Sequence, residues 1–318
     1  MKVLKLSVNE TDRLDKFLAK RLEVSRNQVS NLVKNGYVKI DGIIVQKSGL
    51  KLKIDNLVEV SIPEPEKSEK VEVDFDVDII YEDDDILVVN KPINLTVHPA
   101  PSVKDATLVD WLKSKNYSLS TISGEERHGI VHRLDKGTSG AMVVAKNNKT
   151  HEFLSNQLKD KSMGRYYLAL IDLPLKENIE IDRAIGRNPA NRLKMGIVNR
   201  GKSAKSRFIK LATSSNNFEL ISAKLYTGRT HQIRVHLSSI SRHIFGDSLY
   251  GFKSHLAKIN RVFLHSYILY LKHPNGENLQ FIAPISDDIN DFIDRYFDTE
   301  IVNEKIDPNF ITNSFSNF

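Results

Sequence analysis

A short charged segment, Pro63 to Lys70, divides the 318-residue sequence into two parts of unequal length. It reads Pro-Glu-Pro-Glu-Lys-Ser-Glu-Lys and has no apolar side chain apart from its prolines, which is typical of an exposed interdomain linker. A chain of this length with 40% hydrophobic residues exceeds one average domain and can bury a substantial core. We therefore predict a small domain at 1–62, a linker at 63–72 and a larger domain at 73–300.

The first part has the patterns of two helices followed by a small sheet. Apolar residues recur at helical spacing from Leu14 to Leu22 and again from Val29 to Val33, before Gly36. Short strands then flank the turn pair Asp41-Gly42, and alternating residues from Val58 to Ile62 predict a further strand. We therefore expect two helices packed on a small sheet.

Basic side chains are clustered in residues 1–62, whereas residues 64–85 are dominated by Glu and Asp. The net charge is only +6, so this uneven distribution makes the first part the better candidate for contact with a polyanion. Six side chains on the outward helix faces are the candidates for such contacts: Lys16, Lys20, Arg21, Arg26, Gln28 and Lys34. An ordinary solvated helix surface has the same composition, so charge alone leaves both interpretations open.

The larger part contains many short apolar runs separated by Gly, Pro and Asn, which predicts a strand-rich domain with intervening helices. Strand-like runs begin at Ile79–Tyr81 and Ile86–Val89, and helical patterns cover 107–115 and 149–159. Residues 301–318 are rich in Asn, Asp and Ser with isolated Phe, so we expect an unassigned or loosely docked C-terminal tail there.

The chain has no cysteine, which excludes disulfides, thiolate zinc sites and thiol nucleophiles. This fits a reducing compartment. The first residues lack an extended apolar stretch, and no later apolar run approaches the roughly 18 to 20 residues of a spanning helix. We therefore expect a cytoplasmic protein with no membrane association.

The densest run of polar and small residues is Gly129–Gly140, followed by the apolar Ala141–Ala145. This pattern predicts a loop that leads into a buried strand, where a rigid sheet can hold a reactive group in place. Taken alone, Asp135 before Gly, Thr and Ser also fits an ordinary turn whose carboxylate binds backbone amides.

A metal site is the sharpest alternative for this segment, with His128, His132 and Asp135 as ligands. Two histidines four residues apart can share a metal ion when they lie on a helix. Ile130 and Val131, preceded by Gly129, favour a strand or loop instead, and no second cluster of acidic residues is evident. The pattern therefore disfavours a metal.

The string Gly-Ile-Val-His-Arg-Leu-Asp-Lys-Gly-Thr-Ser-Gly at 129–140 resembles the central motif of the RluA-type pseudouridine synthases. Residues 1–62 resemble the ribosomal-protein-type RNA-binding module often fused to that family, and the likeness extends over roughly residues 1–290. The sequence departs from the family pattern at Ser241–Phe245, where relatives usually have a His-Pro pair. Further segments match in order: Asn90–Pro92, Val97–Pro99, Arg165–Ala169, Leu225–Leu237, Gly246–Gly251 and Leu264–Pro274.

The resemblance implies an α+β protein in which a small RNA-binding domain precedes a mixed, mainly antiparallel catalytic sheet. Asp135 would be the catalytic carboxylate, and Arg234 would pair with it and hold its pKa down. Tyr167 would stack on the target uracil, Arg133 would fill the space that the uracil leaves, and the adjacent Tyr166 would be structural.

The resemblance also implies the reaction and the partner. The enzyme would convert uridine in RNA to pseudouridine with neither a cofactor nor a metal, usually as a monomer. Large-subunit ribosomal RNA is the expected target. Transfer RNA is an alternative target, and a non-catalytic RNA-binding factor in ribosome assembly is an alternative function.

Overall fold

The computed structural model describes residues 2–22, 24, 26–62, 72–100, 103–122, 124, 127–253 and 261–318. Residues 63–71, most of the predicted linker, lie outside these ranges. The chain divides into two compact units, here called the first unit (1–72 with 123–126) and the second unit (73–122 with 127–318). In the described ranges, no helix combines the length and the apolar composition needed to cross a bilayer.

The first unit contains the two helices and the small sheet that the sequence predicts. Its elements are β1 (Lys2–Ser7), α1 (Leu14–Leu22), α2 (Arg26–Lys34), β2 (Val38–Ile40), β3 (Ile43–Ile44) and β4 (Leu57–Ile62). The antiparallel strands lie in the order β1-β4-β2-β3. At the hairpin turn, Asp41 and Gly42 have φ of 52° and 82°, as a two-residue turn between twisted strands requires. Leu14, Leu18 and Val29 are fully buried in this unit's core.

The second unit is strand-rich, and its helices at 108–114 and 148–160 confirm the two helical patterns. The strands are β5 (Asp78–Glu82), β6 (Ile86–Lys91), β7 (Ser139–Ala145), β8 (Gly164–Ile171), β9 (Ile179–Asp182), β10 (Ile185–Arg187), β11 (Met195–Ile197), β12 (Lys205–Thr213), β13 (Glu219–Leu225), β14 (Leu264–Lys272) and β15 (Asn278–Ile282). The helices are α3 (Leu108–Ser114), α4 (Asn148–Asp160), α5 (Gln232–Ser238), α6 (Asp287–Tyr296), α7 (Thr299–Lys305) and α8 (Pro308–Ser316).

Nine strands of the second unit form one mixed sheet in the order β5-β6-β7-β14-β8-β13-β12-β9, with β15 beside β14. The pairing of β7 with β14 is parallel and the others are antiparallel, which confirms the predicted mixed, mainly antiparallel sheet. Every residue of β7 and β8 is buried, as in strands covered on both faces. Along β7, Met142 and Val144 join the larger core, whereas Ala141 and Val143 face the smaller core beneath α4. The sheet is therefore a rigid base for the loop that enters β7.

The C-terminal segment is helical and docked, so the expectation of a loose tail at 301–318 is wrong. The carboxylate of Asp307 accepts hydrogen bonds from two backbone amides at the start of α8, and a proline occupies the first turn. Ile311 and Phe315, four residues apart on one helical face, are buried in the larger core, and Phe315 packs against Tyr166 at 5.1 Å. A polar composition with few apolar residues concealed a short helix that tertiary contacts stabilise.

Candidate active site

Asp135 lies in the loop that enters β7, at a position that is fixed but still accessible. Its backbone carbonyl accepts the N–H of Thr138 at 3.0 Å, and its side chain is 19% exposed. Gly140, five residues on, has φ of 110°, and a Cβ there would lie 2.3 Å from the carbonyl oxygen of Ser266. Only glycine therefore lets β7 run so close to β14. In the described ranges, no backbone amide donates to the Asp135 carboxylate, so the simple turn interpretation does not describe this side chain.

Arg234, on α5, lies between two carboxylates. Its Nε and Nη2 donate to Asp247 at 2.7 and 2.8 Å, while its Nη1 lies 3.5 Å from Oδ2 of Asp135. Burial lowers the pKa of Arg234, but the hydrogen bonds and charge of Asp247 outweigh burial and raise it overall. Asp247 is 1% exposed, so this bidentate pair is a fixed support that aims the remaining guanidinium nitrogen at Asp135.

His231 forms a second contact to Asp135 and is itself held by Tyr250. Nε2 of His231 lies 3.8 Å from Oδ2 of Asp135, and Nδ1 lies 2.8 Å from the Tyr250 hydroxyl, which accepts the backbone N–H of Met195. Burial lowers the pKa of His231, with the Asp135 charge acting in the opposite direction, so the ring is neutral at pH 7. If Tyr250 donates to Nδ1, the imidazole proton sits on Nε2, facing the carboxylate.

Gln232 holds the loop that carries His231 into the site. Its side-chain oxygen accepts from the Thr227 hydroxyl at 2.7 Å and the Arg229 N–H at 3.0 Å, and its nitrogen donates to the Lys205 carbonyl at 2.9 Å. His231 itself has φ of 56°, in the left-handed region that non-glycine residues seldom adopt. The buried Gln232 therefore stabilises a backbone turn that the chain would otherwise disfavour.

Tyr167 and Arg165 lie two residues apart on β8 and therefore face the same side of the sheet. They are 4% and 6% exposed and both line the same cleft as Asp135. Burial raises the pKa of Tyr167, so its hydroxyl is neutral at pH 7. Tyr166, between them, packs on Tyr270 and Phe315 at ring distances of 5.4 and 5.1 Å, as expected for the structural member of the pair.

These side chains surround a cleft that is open to solvent. The exposed Arg133 also lines it, with Nη1 3.5 Å from Nε2 of His98. Asp135 is the acidic residue among the described lining residues, and four arginines accompany it: Arg133, Arg165, Arg229 and Arg234. The cleft is therefore electropositive and suits an anionic nucleotide.

The structure gives His132 a different task from metal binding. Its Nε2 accepts the backbone N–H of Val143 at 3.2 Å, so the lone pair that a metal ion would need there is engaged. Burial lowers the pKa of His132 well below its usual value, and the ring stays neutral. Within the part of the chain that the structure describes, no group of three His, Cys, Asp or Glu residues is placed to hold a metal ion.

The six candidate RNA-contacting side chains of the first unit are all exposed. They lie on α1 and α2, and are Lys16, Lys20, Arg21, Arg26, Gln28 and Lys34. Two of them have ion pairs, since Arg26 donates to Asp15 at 2.6 Å and Lys16 lies 3.5 Å from Asp12. Hydrogen bonds from Arg13 and Arg26 hold the pKa of Asp15 well below its usual value.

Four further residues of the site were not assigned roles from the sequence. Asp247 and Tyr250 lie in the Gly246–Gly251 motif, His231 precedes the helix that carries Arg234, and Arg165 stands two residues before Tyr167. The strand period of two was the available signal for Arg165. Nothing in one sequence indicates which carboxylate Arg234 binds most closely.

Comparisons with known proteins identify the family of the chain. Residues 85–239 match the family model for RNA pseudouridylate synthase, and residues 12–58 match the S4 domain. A Helicobacter pylori protein named as an RNA pseudouridine synthase is 50% identical over 312 residues, 95% of each chain. Ribosomal large subunit pseudouridine synthase D of Zymomonas mobilis is 39% identical, covering 88% of this chain and 89% of that relative. The solved human RNA pseudouridylate synthase domain containing 1 is similar with a TM-score of 0.55 and 27% identity, over 69% of this chain and 86% of that chain.

Proposed function

Since this chain belongs to the RNA pseudouridylate synthase family and is an isomerase of that type, we propose that it modifies large-subunit ribosomal RNA with Asp135 as catalytic carboxylate. The observation that carries this proposal is the accessible Asp135 carboxylate held beside Arg234 in an electropositive cleft. The proposed target rests on the name of the Zymomonas mobilis relative and on the S4 domain.

One carboxylate is sufficient for this isomerisation. Asp135 either attacks C1′ of the ribose or removes the 2′ proton, and the N1–C1′ bond breaks with its electron pair left on uracil. The ring turns, and C5 bonds to C1′ as the bond between Asp135 and C1′ breaks or as the proton returns to C2′. The C5 proton then leaves and N1 is protonated. No water is consumed, so the second, water-activating carboxylate of glycoside hydrolysis is unnecessary. Arg234, with Nη1 3.5 Å from Oδ2, orients the Asp135 carboxylate.

The target uridine must leave its helical stack to reach Asp135. We assign Tyr167, on the cleft wall, to stack on the extruded uracil, which partly offsets the cost of unstacking. Arg133 is exposed at the same cleft and is assigned to the space left in the RNA. The enzyme would work in the cytoplasm as a monomer, without a cofactor.

The first unit would supply phosphate contacts. Replacing both Lys20 and Lys34 with Ala removes two exposed charges, so the slope of log affinity against log salt should fall by about 1.5. The rate at saturating RNA should stay unchanged, because neither side chain lies in the cleft. Lys113→Ala, on an exposed face of α3, is the matched control. An unchanged slope in the double variant would show that these helices do not carry the phosphate contacts.

The target is tested with RNA carrying tritium at C5 of uridine, because that atom loses its hydrogen in the reaction. Purified chain is incubated with large-subunit ribosomal RNA or with transfer RNA, each with and without a chelator. Release from ribosomal RNA, unaffected by the chelator, is the expected result. Release from transfer RNA alone would overturn the proposed target, and loss of release with the chelator would overturn the metal-free mechanism.

A further inference from the structure

Among the residues that the structure describes, Arg165 is a buried cation without a counterion. It is 6% exposed, its Nε and Nη1 have no hydrogen-bond partner, and no carboxylate within the described ranges forms an ion pair with it. The other arginines of the cleft differ, since Arg234 binds Asp247 and Nε of Arg229 donates to the Ser203 carbonyl. Burying a guanidinium with unsatisfied donors costs free energy. Such a side chain is therefore expected to bind a ligand that accepts the missing hydrogen bonds.

The position of Arg165 indicates where that ligand lies. The side chain lines the cleft together with Asp135 and Tyr167, and strand alternation puts it on the same face of β8 as Tyr167. Its Nη2 lies 3.9 Å from the point that a Cβ on Gly228 would occupy. The Arg165 guanidinium therefore lies in the wall of the cleft, next to the loop that leads to His231.

We infer that Arg165 binds the carbonyl oxygens of the extruded uracil and stabilises the negative charge on the detached base. This inference rests on the proposed function. Uracil presents O2 and O4 as acceptors in the plane of its ring, and a guanidinium offers only donors, in a flat array that can lie in the same plane. A base stacked on Tyr167 would bring those oxygens to the face of the sheet that Arg165 shares.

The chemistry needs a cation at this point. When the N1–C1′ bond breaks, its electron pair stays on uracil and spreads over O2 and O4, while Asp135 takes up either C1′ or the 2′ proton. The C5–C1′ bond then forms from the ring's electrons, as the bond between Asp135 and C1′ breaks or the proton taken from C2′ returns there. The C5 proton leaves and N1 is protonated. A guanidinium fixed in advance beside those oxygens stabilises the charge without reorganisation.

An RNA phosphate is a poorer occupant. Phosphates stay on the solvated backbone, and Arg133, which is exposed at the same cleft, can reach them without losing its own hydration. The burial of Arg165 suits a neutral, flat group that enters the cleft and acquires charge only during the reaction.

The test compares Arg165→Met, which keeps the length of the side chain without its donors, with Arg165→Lys and with Arg295→Met. Arg295 is an exposed arginine in the last turn of α6 and is the matched control. Single-turnover rates at saturating RNA and the salt dependence of the dissociation constant are measured for each variant and for the wild type. The wild-type rate shows separately whether the chain makes pseudouridine from that RNA.

Arg165→Met should lower the saturating rate by about 100-fold or more, with the dissociation constant within about threefold and the salt slope unchanged. The saturating rate of Arg165→Lys should lie between those of Arg165→Met and the wild type, and the rate of Arg295→Met should equal that of the wild type. With 5-fluorouridine at the target position, the leaving group is 5-fluorouracil, whose anion the fluorine stabilises, so the defect of Arg165→Met in cleaving the N1–C1′ bond should shrink about tenfold.

Three results would overturn the inference while leaving the wild type active. An unchanged saturating rate would show that Arg165 has no part in the reaction. A weaker dissociation constant with a salt slope reduced by about one would assign Arg165 to a phosphate. An equal defect on uridine and 5-fluorouridine, accompanied by a lower melting temperature, would assign it a structural role.

Discussion

Replacing Asp247 separates the scaffold of the site from its chemistry. Asp247→Asn preserves the shape of the side chain but removes the negative charge of the carboxylate that accepts two hydrogen bonds from Arg234, at 2.7 and 2.8 Å. Each charge-assisted hydrogen bond contributes about 1.5–3 kcal/mol, and breaking a buried pair costs about 3–5 kcal/mol. We therefore expect the second unit to lose about 3–5 kcal/mol of stability. Arg234 would also lose the support that aims it at Asp135, so activity should fall too.

Trp111 provides the assay. It is the only tryptophan of the sequence, it is 1% exposed in the second unit, and its Nε1 donates to Asp76 at 2.8 Å. Urea unfolding followed by its fluorescence therefore reports on the unit that contains the cleft. Asp135→Asn is the matched control, because that carboxylate is 19% exposed and has one long contact to Arg234, so its loss should cost under about 1 kcal/mol. A cost under about 1 kcal/mol for Asp247→Asn as well would refute the reasoning.

Three further changes test the surrounding structure. Burial lowers the pKa of His265 to about 4, so this side chain is protonated at a lower pH in the folded state than in the unfolded chain. The free energy of unfolding should therefore fall by about 3 kcal/mol between pH 6.5 and pH 4. His265→Asn should flatten that dependence in urea titrations. Gly140→Ala should abolish folding or lower the free energy of unfolding by over about 3 kcal/mol, because the new Cβ would clash with the backbone of β14. In the control, Gly276→Ala, the new Cβ has no atom within 4 Å, and the loss should be about 1 kcal/mol. Phe315→Ala should lower the free energy of unfolding by about 3–5 kcal/mol, because Phe315 is buried. Phe318 is 37% exposed, so Phe318→Ala should cost under about 1 kcal/mol. Equal losses would contradict a docked C-terminal helix.

Local patterns were sufficient where one short segment determines its own structure. The helices α1 and α2, the turn at Asp41-Gly42 and the polar loop before β7 all follow from spacing and turn chemistry. The meeting of Asp135 and Arg234, 99 residues apart, could be expected only from the resemblance to a known family.

The remaining features depend on tertiary contacts that a single sequence does not encode locally. Arg234 has its shortest contacts with Asp247, and both are brought together by the fold of α5 against the turn at 246–251. The helix α8 has a polar composition, and its two buried residues, Ile311 and Phe315, become informative only once the core that receives them is known. The unpaired donors of Arg165 are likewise visible only in the folded chain.

The central claim is that Asp135 performs the chemistry. Its most direct test is tritium release from C5-labelled uridine in large-subunit ribosomal RNA by the wild type and by Asp135→Asn, after urea unfolding has shown that both are folded. The account predicts release by the wild type and none by Asp135→Asn at equal RNA binding. Release by Asp135→Asn at the wild-type rate would contradict it.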